Sequence, residues 1–104
     1  MEKRHNINKY HRSNSKARKW LQSQGYTQIH FFNHSRWSKD VHIGSMGFDG
    51  VAVHEAHIVF FQVKSNRKPT KKEKIILKAL NSQYEHSVVF IWINCPDRKK
   101  TEIY

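Results

Sequence analysis

Two short segments, Phe48-Asp49-Gly50-Val51-Ala52-Val53 and Gln62-Val63-Lys64, hold the residues whose types and spacing could do chemistry. Both sit in apolar runs of strand character, and together they supply a carboxylate, a carboxamide and an ammonium. Such a set suits a divalent cation working on phosphate esters. Mg²⁺ prefers oxygen ligands, keeps several waters, and needs only one or two protein carboxylates when phosphate oxygens complete its shell. A nearby lysine offsets the charge that builds on a phosphoryl group during attack. The competing explanation is a hairpin with incidental polar residues on its solvent face. Against it, Asp is disfavoured inside strands, and Gln62 and Lys64 follow a strongly apolar run.

The flanking sequence predicts how the set is positioned. Phe48–His54 and His57–Lys64 read as an antiparallel hairpin around Glu55-Ala56, closed by a loop of two or four residues. Either length places Asp49 opposite Gln62. It also puts Asp49, Val51 and Val53 on the face of Ile58, Phe60, Gln62 and Lys64. Directly opposed Cβ atoms lie roughly 5 Å apart, near enough to share a cation. An odd-length loop or a bulge would break this register.

Around the hairpin, Ser15 predicts the cap of a helix running to Gln24. Ala17, Trp20, Leu21 and Gln24 are at helical spacing, and Gly25 stands at the left-handed C-terminal cap. Met1 to Asn14 is basic and aperiodic, and reads as a flexible arm that orders on a phosphate backbone, leaving 15–104 as a single domain. Tyr26–Asn33 reads as a strand and His34–Gly47 as a loop, with Gly44 and Gly47 marking tight backbone. Thr70-Lys71-Lys72-Glu73 is a capping box that opens a second helix to Glu85. Its inward stripe is Ile76, Leu77, Leu80 and Tyr84; Lys71, Lys74 and Lys78 face outward. Val88–Ile93 is continuously apolar, as a strand covered on both faces would be, and Asn94-Cys95-Pro96-Asp97 ends it. Lys100–Tyr104 reads as a short edge strand.

Composition narrows the partner. The chain has 104 residues, room for one modest core, and its 19 Lys and Arg against 8 Asp and Glu leave a net charge of +11. Charge of that size favours a polyanion, because phosphate contacts release condensed counterions. Cys95 is the single cysteine, which excludes an intrachain disulfide and fits a reducing compartment. No apolar run is long enough to span a membrane, so a cytoplasmic location without a membrane partner is expected. There is no glycine-rich phosphate loop and no nucleophile elbow. His30 with His34, or His54 with His57, lack the context of a structural zinc site.

The order helix, three strands, helix, strand, with Asp49 on the second strand and a [Glu/Gln]-x-Lys pattern at Gln62 and Lys64 on the third, resembles the PD-(D/E)XK nuclease superfamily. Its compactness is similar to that of archaeal-type Holliday-junction resolvases and VRR-NUC-like nucleases. The resemblance spans Ser15 to Ile93 and is carried by few positions. It implies an α/β fold with a restriction-endonuclease-like core, a mixed central sheet of four to five strands flanked by helices in the order αβββαβ. It further implies a catalytic set of Asp49, Gln62 and Lys64. Asp49 would bind the metal, Gln62 would lend a carbonyl oxygen at the second acidic position, and Val63 would lend its backbone carbonyl. Mg²⁺ or Mn²⁺ is the implied cofactor, and the implied activity is a metal-dependent endonuclease that hydrolyses phosphodiester bonds in DNA, branched or junction DNA included. A homodimer follows from the same resemblance.

Two departures stand out: Phe48 precedes the aspartate where the family name has proline, and the first helix carries no acid where many relatives have glutamate. Gln62 leaves the site one negative charge short, so weaker metal affinity is expected unless Asp40 or substrate phosphate completes it. Asp40 equally suits a solvated loop acid paired with Lys39 or Arg36. Phosphate contacts are expected from Arg36, Lys39, Arg67, Lys68, Arg18 and Lys19, with Trp37 as the stacking or wedge residue. Two alternatives stay open. One is a nucleic-acid-binding module that keeps the fold without efficient catalysis. The other is a small RNA-binding or ribosome-associated protein.

Overall fold

The computed structural model describes residues 2–32, 41–43, 46–54, 57–84, 87–97 and 99–104. In chain order the elements are α1 (Glu2–Ser23), β1 (Gln28–Phe31), β2 (Val41–Ile43), β3 (Met46–Phe48), β4 (Gly50–Val53), β5 (Ile58–Ser65), α2 (Lys71–Gln83), β6 (Val88–Cys95) and β7 (Glu102–Ile103).

The first helix begins at Glu2, so the segment read as an arm and the expected cap at Ser15 both lie inside α1. The physical reason is that nucleation, not propagation, is the costly step of helix formation. The packed C-terminal half offsets that cost, and no proline or glycine stops the helix upstream. Ser13, Ala17 and Leu21 recur every fourth residue on the buried face. Ser13 is the anchor that polarity hid: its hydroxyl pairs with that of Ser65, and its carbonyl accepts from Cys95 Sγ at 3.5 Å. At the other end, Gly25 N–H donates to Gln22 O and Tyr26 N–H to Leu21 O, both at 3.1 Å. With Gly25 at φ +95° these bonds form the expected left-handed cap.

A five-stranded mixed sheet runs in the order β1-β4-β5-β6-β7. β1, β4 and β5 are successively antiparallel, β5 and β6 are parallel, and β7 closes the edge antiparallel to β6. The parallel pair needs a crossover, and α2 supplies it. β2 and β3 form a separate two-stranded sheet in the segment read as loop. Strands that short carry too few residues for alternation to reveal them.

The two helices belong to two cores. With α1, Ala17 and Leu21 pack with Ala52, Val59, Phe61, Ile93 and Cys95. With α2, Leu77 and Leu80 pack with Met46, Phe48, Phe90 and Trp92. β6 contributes to both, as its continuous apolar run implied. The capping box of α2 is complete: Thr70 N–H donates to Glu73 Oε1 at 2.9 Å, and Glu73 N–H to Thr70 Oγ1 at 3.2 Å. Tyr84 departs from the expected inward stripe. It occupies the C-cap and is 42% exposed, because the helical register ends before it.

At the hairpin tip, His54 N–H donates to His57 O at 2.9 Å and His57 N–H to His54 O at 3.3 Å. This reciprocal pair flanks a two-residue connection, the even length expected. The His54 and His57 rings stack at 5.2 Å, and the Tyr26 hydroxyl meets His57 Nε2 at 2.6 Å, so these histidines are engaged in packing.

Candidate metal and phosphate site

The hairpin pairs Val53 with Ile58, Ala52 with Val59, Val51 with Phe60 and Gly50 with Phe61. One further step would oppose Asp49 and Gln62, but the ladder does not take it. Asp49 N–H instead donates at 2.8 Å to the carbonyl of Phe61, the residue that Gly50 already opposes. Two residues therefore face one, which is a β-bulge, and β3 and β4 are distinct strands on either side of it. This corrects the expectation of directly opposed partners on one uninterrupted strand. Gly50 makes the bulge possible: a Cβ there would stand 2.4 Å from His30 O and 2.5 Å from Phe61 Cζ. The Phe61 ring fills the space that any side chain at position 50 would need.

The bulge re-aims the aspartate along β5. Asp49 Oδ2 accepts the Val63 N–H at 2.6 Å, while Asp49 O accepts the Phe32 N–H at 2.8 Å. The reason lies in the strand lengths. β4 pairs with β5 only as far as Phe61, whereas Gln62, Val63, Lys64 and Ser65 continue against Trp92, Ile93, Asn94 and Cys95 of β6. Beyond Phe61, a carboxylate takes the place of a strand carbonyl. A charged acceptor makes that bond stronger than a neutral one.

Gln62 stands beside Trp92 in the parallel ladder, on the α2 side of the sheet. Its Oε1 is buried and has no hydrogen-bond partner among the described residues. Lys64 follows on the same face by strand alternation. Its charge reaches Glu73 in the first turn of α2. Burial pushes the Glu73 carboxyl up, but hydrogen bonds from Thr70 and the charges of Arg67 and Lys64 outweigh it and hold the group below its usual value.

Of the expected phosphate contacts, Arg67 is half-exposed and already makes several contacts within the chain. Its guanidinium bonds Glu73 Oε1 at 3.0 Å and lies 5.1 Å from the centre of the Trp92 ring. Its N–H donates to Asn94 Oδ1 at 2.8 Å, and its carbonyl accepts Trp92 Nε1 at 3.0 Å. Arg18 packs its guanidinium over Phe31 at 5.1 Å; Lys19 and Lys68 are exposed. Arg36, Trp37, Lys39 and Asp40 lie outside the described residues. Asn94 was missed in the sequence, where it reads as a strand terminator. It is 2% exposed and bridges the Arg67 N–H to Glu102 Oε1, the latter at 2.8 Å. An amide closing a run of six apolar residues was the available signal.

Among the described residues, no three His, Cys, Asp or Glu side chains converge to hold a metal. A cation here would draw on one carboxylate, one amide oxygen, backbone and substrate oxygens, a donor set that suits Mg²⁺ or Mn²⁺ better than zinc. Comparison of the chain with family models, curated proteins and solved structures returns no match.

Proposed function

We propose that this chain is a metal-dependent endonuclease that hydrolyses phosphodiester bonds in DNA, branched or junction DNA included, on a restriction-endonuclease-like core. The observation that carries this reading is the buried Gln62 Oε1, unpartnered among the described residues and one peptide away from the N–H that anchors the Asp49 carboxylate. Leaving such an acceptor unsatisfied costs about 1–3 kcal/mol, and a cation would remove that cost. The element order supports the reading too. Leaving out the β2–β3 hairpin and the closing edge strand β7, the chain runs α1, β1, β4, β5, α2, β6, which is αβββαβ.

Asp49, Gln62 Oε1 and the Val63 carbonyl are the residues that would hold the ion. Within a strand a residue's C=O points to the same edge as its N–H, and the Val63 N–H meets Asp49. Mg²⁺ or Mn²⁺, when bound, would polarise the scissile phosphate and lower the pKa of a water nucleophile. The protein's own part is then positional and electrostatic. The Val63 N–H fixes the carboxylate, the bulge aims it, and Lys64 offsets charge on the phosphate oxygens. The net charge of +11 favours the polyanionic substrate, and a homodimer would present one site to each of two strands.

The test is cleavage of linear, single-stranded, flapped and four-way-junction DNA with Mg²⁺ or Mn²⁺ and with EDTA. Metal-dependent cutting that Asp49→Ala and Lys64→Ala abolish supports the enzyme; cutting that survives both overturns it. The second reading is a binding module on the same fold, favoured by the neutral Gln62 at the position where an acid would strengthen a metal site. Gln62→Glu separates the two. In the enzyme it restores the missing charge and brings cleavage to lower metal concentration, and in the module it changes nothing.

A further inference from the structure

A cleft of about 520 Å³ lies between α1 and the β6–β7 connection, lined by Lys16, Lys19, Trp20, Lys99, Lys100 and Thr101. We infer that it is a second nucleic-acid site, which takes a single-stranded segment with phosphates on the four lysines and a base against Trp20. This inference rests on the nucleic-acid part of the proposed function and not on any metal chemistry at Asp49. The cleft lies on the α1 side of the sheet, whereas Gln62 and Lys64 lie on the α2 side, so the two sites are distinct.

Five residues point to this occupant through their placement. Lys16, Lys19 and Trp20 are spaced i, i+3 and i+4, so they share one helix face. Lys99 and Lys100 approach from the opposite wall, and Lys16 Nζ reaches the Pro96 carbonyl at 3.3 Å, tying the walls together. No acid is among the described lining residues. Four ammonium groups around one concavity repel each other, and an anion relieves that repulsion. A lysine cluster alone would be an ordinary solvated surface; the indole in the wall is the second feature. Stacking on an aromatic ring needs an unpaired base, and it tolerates any sequence because every base has a π-face. The volume fits a nucleotide-sized group within the usual range of ligand pockets. Lysines on both walls track successive phosphates instead of gripping one.

The experiment is fluorescence anisotropy in EDTA with a labelled single-stranded DNA of about a dozen nucleotides, inside the usual site-size range, and a duplex of equal length. Lys99→Glu with Lys100→Glu should weaken single-strand binding tenfold or more. Lys71→Glu with Lys72→Glu, an equal charge change on exposed positions of α2, should weaken it much less. Lys99→Ala with Lys100→Ala should flatten the salt dependence by about 1.4, at roughly 0.7 per single-strand phosphate contact. Trp20→Leu, shown to be folded by circular dichroism, should lower affinity for the single strand more than for the duplex. Equal weakening by the two charge-reversed pairs, an unchanged Trp20→Leu, or no single-strand binding by the native chain would each overturn the inference. Cleft-dependent binding without Mg²⁺-dependent cleavage would remove the enzyme reading and leave this one standing. Cleavage lost in Asp49→Ala, with binding indifferent to the cleft, would do the reverse.

Discussion

β5 is two different environments in one strand. From Ile58 to Phe61 it is paired on both sides, by β4 and β6, and Val59 and Phe61 are completely enclosed. From Gln62 to Ser65 only the β6 side remains paired, and every residue is partly open to solvent. Where both ladders are present, the backbone is satisfied and the side chains have only to pack. Where β4 stops, backbone groups need side-chain partners, and polar residues gather to provide them. Asp49 does this for Val63. Asn81 does it on β6, where its amide donates to Phe90 O and accepts from Phe90 N–H beyond the short reach of β7. The Asp49–Gly50 bulge is the boundary between the two halves of β5.

Substitutions on either side of that boundary should differ sharply in cost. Phe61→Ala in the enclosed half should lose about 3–5 kcal/mol in denaturant unfolding. Gly50→Ala should lose about 3 kcal/mol, the upper end of overpacking costs, since the atom it meets first is a backbone oxygen. Gln62→Leu, one residue past Phe61, should be neutral or stabilising in EDTA, because it removes a buried unsatisfied oxygen. A Gln62→Leu loss as large as that of Phe61→Ala would erase the distinction.

Asp49 sharpens the comparison by separating structure from chemistry. Asp49→Ala leaves the Val63 N–H without its acceptor and should cost about 1–3 kcal/mol. Asp49→Asn keeps an acceptor and should cost well under half as much by the same melts, yet it should abolish the proposed metal-dependent cleavage as completely. Full activity in Asp49→Asn would show that the carboxylate's charge plays no chemical part.

The smallest effects belong to the α2 cap at the open end. Thr70→Ala should cost about 1 kcal/mol. Glu73 adds a pH dependence of fixed sign. Its folded carboxyl is held below the ordinary value of 4.5, so its stabilisation is present above that pH and is lost as pH falls through the depressed folded value. Melting temperature against pH should therefore fall less steeply in Glu73→Gln below pH 4.5 than in the native chain. Identical slopes would mean that the Thr70 and Arg67 contacts do not favour the charged form.

Much of the scaffold could be read directly. Thr70 and Glu73 marked the α2 cap by type and spacing, Gly25 the end of α1, and Val88–Ile93 the doubly covered strand. The β4–β5 register followed from an even loop and strict alternation. Other features were hidden for identifiable reasons. The N-terminal half of α1 is nearly uniformly polar, and its anchor is a serine that bonds across to Ser65. β2 and β3 are three residues each, below the length at which a period can be seen. No sequence pattern shows that Arg67 also lies over Trp92 and pairs with Glu73.

By itself, the sequence determined the residue types of the candidate site, the helix caps, the alternation that puts Gln62 and Lys64 on one face, and the excess of positive charge. These are local or additive properties, set by near neighbours or by counting. Only the tertiary structure decided that Asp49 sits in a bulge, that its carboxylate docks on Val63 N–H, and that Gln62 Oε1 is buried without a partner among the described residues. It also brought Lys16, Lys19 and Trp20 against Lys99 and Lys100 across most of the chain. Those outcomes depend on where β4 ends relative to β5 and on the space taken by the Phe61 ring. Both are set by packing between residues far apart in sequence, and no local pattern encodes them.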